Sequence, residues 1–89
     1  MYKVIVADNY HYMDDSESYT SGTYATLEEA IAKCKEIVDE YLLSAYQTGM
    51  TSDALYENYK SFGDDAYIEG KKIFSSWTYA KQRCNEICN

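Results

Sequence analysis

The chain has 89 residues and carries 8 basic against 15 acidic side chains, for a net charge of −7. That length gives one domain, 1–89, with a thin core, and that charge excludes unassisted binding to nucleic acid phosphates or to an anionic membrane, both of which need a basic patch. Eleven tyrosines among the fourteen aromatic residues make the sequence rich in rings whose hydroxyls need water or a partner.

After Met1, the residues from Tyr2 to about Tyr10 favour β structure, with Tyr2, Val4 and Val6 on one face and Ile5 and Ala7 on the other, which predicts a strand covered on part of both faces. The apolar run of four before Asp8 is too short for a signal-peptide core or a membrane span, so a cytoplasmic protein is expected. Next comes the densest concentration of chemistry in the chain, Asp8-Asn9-Tyr10-His11-Tyr12-Met13-Asp14-Asp15-Ser16-Glu17, which contains the only histidine. The β-favouring run Tyr19 to Ala25 then predicts a second antiparallel strand, with Gly22 at a bulge or close approach. A connection around Met13 to Ser18 is longer than a two-residue turn and is expected to form a loop.

Thr26-Leu27-Glu28-Glu29 is a capping box and predicts the start of a long helix. Leu27, Ala30, Ile31, Cys34, Ile37, Val38, Tyr41, Leu42 and Ala45 recur at three- and four-residue spacing and form one apolar stripe. Gly49 is expected to stop that helix, and Glu29 and Lys33 to pair on its surface. Met50 and Thr51 then predict a staple and N-cap for a shorter helix carrying Leu55, Tyr59 and Phe62, ended by Gly63. Ala66-Tyr67-Ile68 reads as a third strand, expected to pair with Ile73-Phe74 through a turn at Gly70-Lys71. Ser75 or Ser76 should cap a last helix with Trp77, Ala80, Cys84, Ile87 and Cys88 on one face. The fold class is therefore α+β, a two-layer domain of a small antiparallel sheet with helices packed on one face, in the order ββααβα.

The opening Val6-Ala7-Asp8-Asn9-Tyr10-His11-Tyr12-Met13-Asp14, with Gly22, Thr26-Leu27-Glu28-Glu29-Ala30 and Cys34-Lys35-Glu36-Ile37-Val38-Asp39-Glu40, resembles a family of small uncharacterised bacterial proteins. The resemblance implies a compact cytoplasmic bacterial domain. Since that family carries no known activity, it transfers no catalytic residue.

The residues themselves support a ranking of chemistries. Cys34, Cys84 and Cys88 do not have the C-x-x-C spacing of redox or zinc motifs and are expected to be reduced, mostly buried thiols. Cys34 lies on the apolar stripe, which argues against a nucleophile paired with His11. His11 with Asp8, Asp14, Asp15 and Glu17 offers a nitrogen and several oxygens to a metal, but the spacing matches no ligand pattern: Tyr10 and Tyr12 stand where a calcium loop needs oxygens. No phosphate loop, dinucleotide fingerprint or serine elbow occurs, so no cofactor and no metal is assigned. Residues 1–70 hold 4 basic and 14 acidic groups, net −10, while residues 71–89 hold 4 and 1, net +3. The first figure permits a mimic of nucleic acid charge, and the second places Lys71, Lys72, Lys81 and Arg83 in one basic segment. The acidic helix residues Glu28, Glu29, Glu36, Asp39 and Glu40, however, read as the ordinary solvent side of an amphipathic helix.

The favoured reading is a non-enzymatic binding module. Asn9, Tyr10, His11, Tyr12 and Asp14, supported by Tyr19 and Tyr24, are nominated as its face, with a basic protein partner or a second copy as the expected ligand. A small enzyme or metal-binding protein centred on His11 and its carboxylates is the alternative, and the acidic nucleic acid mimic the third.

Overall fold

A computed structural model describes residues 1–8, 18–70 and 74–88. The elements follow the order β1 (Tyr2–Asp8), β2 (Tyr19–Tyr24), α1 (Leu27–Ala45), α2 (Ser52–Phe62), β3 (Asp64–Ile68) and α3 (Ser76–Cys88). The three strands form one antiparallel sheet in the order β2-β1-β3. The most apolar strand thus holds the centre, where both of its edges are paired, and the tyrosine- and acid-bearing strands form the rims. The fold is α+β, as the periodicities predict.

Alternation along β1 sends Val4 and Val6 to the face that α1 covers, where they are almost fully buried with Ala66 and Ile68 of β3. Ile5 lies on the other face, opposite Tyr67 and Thr20, and is still only 8% exposed. The pairing of β1 with β2 slips once. Val4 faces Gly22 and Ile5 faces Thr20, so Ser21 is a bulge residue with no partner of its own. The irregularity expected at Gly22 therefore falls one residue earlier.

α1 begins as its capping box dictates. Thr26 Oγ1 accepts from the Glu29 amide at 3.2 Å, and the Thr26 hydroxyl donates to Glu29 Oε1 at 3.0 Å. The expected return bond from Glu29 to the residue 26 amide is replaced by this hydroxyl bond. Lys33 consequently pairs with Glu36, at 3.5 Å, instead of with Glu29. The helix ends at Ala45 with Tyr46 as an extended C-cap, three residues before Gly49. Gly49, at φ +87°, instead turns the chain between Gln47 and Met50, whose backbone bond measures 2.9 Å. Helix termination and the left-handed residue are thus separate events.

Thr51 caps α2 by accepting from the Ala54 amide at 3.1 Å. At the other end, Gly63 has an ordinary negative φ, so its glycine answers a packing demand. A Cβ there would stand 2.5 Å from the Tyr59 ring. At the last turn of sequence before α3, Phe74 lies outside any strand and packs against the sheet and α1. A hairpin of β3 with Ile73-Phe74 does not form at Phe74, and Ile73, with Lys71 and Lys72, lies outside the described residues. β3 pairs its inner edge with β1, from Val4–Ile68 to Asp8–Asp64.

The apolar stripe of α1 serves two separate cores. Ala30 and Cys34, with Leu27, Ile31 and Ile37 beside them, close over the sheet. Val38 and Leu42, with Tyr41 and Ala45, pack against Leu55 and Tyr59 of α2 and Ala80 and Cys84 of α3. One helix of 19 residues is long enough for both, since its rise of about 1.5 Å per residue spans roughly 28 Å. Among the described residues, no helix is long and apolar enough to cross a membrane.

Candidate functional site

The nominated face divides between residues inside and outside the described structure. Asn9, Tyr10, His11, Tyr12 and Asp14 lie outside it, as do Met13, Asp15, Ser16 and Glu17. Tyr19 and Tyr24, at the two ends of β2, lie within it.

Five positions apart, Tyr19 and Tyr24 would fall on opposite faces of a regular strand. The Ser21 bulge cancels that: Tyr24 faces Tyr2 and Tyr19 faces Val6, both of which belong to the side covered by α1. Their surroundings differ all the same. Tyr24 is half-buried and packs against the sheet–α1 core, at the end where Ala25 and Thr26 lead into the helix. Tyr19, at the far end of the strand, is 61% exposed. At the same end of the sheet, the last rung sets Asp8 of β1 opposite Asp64 of β3.

Elsewhere three tyrosine hydroxyls bond within the fold. Tyr41 donates to Asn58 Oδ1, linking α1 to α2. Tyr59, fully buried, donates to the Asp64 carbonyl at 2.8 Å and so ties α2 to the first residue of β3. Tyr79 donates to Asp39 at 3.0 Å, linking α3 to α1. Burial, followed by the bond to Asp39, pushes the Tyr79 hydroxyl up to about 12. These three rings are internal struts whose hydroxyls end on protein acceptors.

The same carboxylate draws in Arg83, whose Nε donates to Asp39 Oδ1 at 2.8 Å while a terminal nitrogen donates to Glu86 Oε1 at 2.7 Å. Glu86 is held below its ordinary value by that bond. Asp39 is therefore a half-buried acceptor shared by two side chains of α3, and the expectation that it simply solvates α1 is corrected. Arg83 correspondingly has two carboxylates of its own. The basic segment inferred from composition loses it as a free cation, and of the other three lysines only Lys81, exposed on α3, lies within the described residues.

A third polar node sits where β3, α1 and α3 meet. Ser75 caps α3, its hydroxyl accepting from the Thr78 amide at 3.3 Å. Ser76, in the first turn, is 1% exposed and donates its hydroxyl to Asp65 of β3. Cys34 lies close enough for Asp65 to raise its thiol, although burial is the larger cause, and together they push it up to about 11. Burial and then the neighbouring Cys88 do the same to Cys84, also to about 11. Thiols held this far above neutral pH present almost no thiolate and are poor nucleophiles. All three cysteines are unbridged.

Sequence reasoning missed the Asp65–Ser76 and Asp39–Tyr79–Arg83 nodes, which join residues 11 apart in the first and 40 or more apart in the second. The pair Ser75-Ser76 was the available signal, since only one of two adjacent serines can occupy the cap. Among the described residues, no group of three histidine, cysteine, aspartate or glutamate side chains is arranged to hold a metal ion.

No family model, curated protein or solved structure matches this chain.

Proposed function

We propose that the chain is a small cytoplasmic binding module without catalytic activity, which engages a protein partner or a second copy through the acidic, tyrosine-rich surface between β1 and β2. Its contact residues are Asn9, Tyr10, His11, Tyr12, Asp14 and Tyr19, with Tyr24 supporting them from within the core. The observation that carries this reading is the ring of Tyr19, 61% exposed at the end of β2 that follows residues 9–17 in the chain, whereas Tyr41, Tyr59 and Tyr79 bond to other elements of the fold. An aromatic ring offers large contact area at low entropic cost, which is why tyrosine concentrates at interfaces.

Three further observations support it. The buried thiols of Cys34 and Cys84 are far from nucleophilic, Arg83 is committed to Asp39 and Glu86, and the net charge of −7 disfavours nucleic acid and anionic membrane while suiting a basic protein surface. Unbridged cysteines agree with a reducing compartment, and the resemblance of the opening residues implies a bacterial one.

The test is native mass spectrometry of the untagged protein isolated gently from its own cell extract, run beside Tyr19→Ala and His11→Ala. A retained protein chain that is lost in Tyr19→Ala, with folding intact by circular dichroism, is the expected result. A metal ion or small molecule lost in His11→Ala would replace this reading with a His11-centred site. A bare monomer at every protein concentration, with no partner retained, would overturn it.

A further inference from the structure

We draw no further inference here: the strongest candidate, the face of the sheet turned away from α1, where Ile5 and Tyr67 lie side by side across β1 and β3, carries nothing because nothing in the structure shows what covers it.

Discussion

At Gly63 the chain must turn from α2 into β3 while the Tyr59 ring passes directly over the backbone. The Gly63→Ala variant forces that ring, which is fully buried and bonded to the Asp64 carbonyl, to move. Overpacking of this kind costs about 1–3 kcal/mol, and the expected readout is a lower urea midpoint with an unchanged slope. Nothing local in the sequence distinguishes Gly63 from Gly49, since both simply follow helices. Their different reasons, close approach at one and positive φ at the other, appear only when Tyr59 is placed against the turn. The thiols give a second check at this scale. Cys34 and Cys84 are buried and Cys88 is half-buried at the end of α3, so native protein should release one equivalent of chromophore quickly from an aromatic disulfide reagent, and three in denaturant. Fast reaction of all three in native buffer would contradict the packing of both cores.

Among the elements, α1 was the most legible, because its stripe continues from Leu27 to Ala45 and its cap residues are adjacent in sequence. The partition of that stripe was not legible, for apart from Tyr41 the residues that face the sheet and those that face α2 and α3 are all small or aliphatic. What tells them apart is the partner. β3 was likewise legible as a strand, but its pairing with β1, some sixty residues back, was not, because nothing local in the sequence points to so distant a partner. That pairing brings Val4 and Val6 against Ala66 and Ile68 beneath α1, burying both strands at once. The tie between α1 and α3 provides the prediction at this scale: Tyr79→Phe removes the hydroxyl that donates to Asp39 but leaves Arg83 in place. A loss of about 0.5–1.5 kcal/mol is expected, and in an Asp39→Ala background the same substitution should cost measurably less, since the partner is already gone. Equal costs in the two backgrounds would mean that the bond contributes nothing. The candidate face itself was nominated from composition, and only Tyr19 and Tyr24 can be set against the structure, which separates an exposed ring from a core one.

For the molecule as a whole, three raised acids determine how stability responds to alkali. Cys34 and Cys84 lie near 11 in the folded protein against 9.0 when free, and Tyr79 near 12 against 10.0. Above pH 9 the unfolded chain gives up these protons while the folded chain keeps them, so the unfolded state binds fewer and stability falls with rising pH. The contribution is fully present below pH 9, declines first through the thiols and then through the phenol, and is exhausted above about pH 12. Each group adds at most about 1.4 kcal/mol per pH unit to that decline. Urea midpoints measured from pH 8 to 11 should therefore hold until about pH 9 and then drop, and the Cys34→Ala, Cys84→Ala double variant should show a flatter profile between pH 9 and 11. A profile as steep as that of the parent would place the alkaline sensitivity elsewhere.

The central position of β1 also bears on how the chain is made. On a ribosome, β1 can pair with β2 almost as soon as both emerge, but its other edge has to wait until Asp64–Ile68 has been synthesised. At about 5–20 residues per second that interval lasts for seconds, and throughout it the most apolar strand of the protein is a nascent two-stranded ribbon with one side unmated. α1, which leaves the ribosome next, can shelter Val4 and Val6 during the delay. A newborn chain is therefore most exposed to mispairing after α1 has been made and before β3 arrives, which is the interval in which a chaperone would have something to hold.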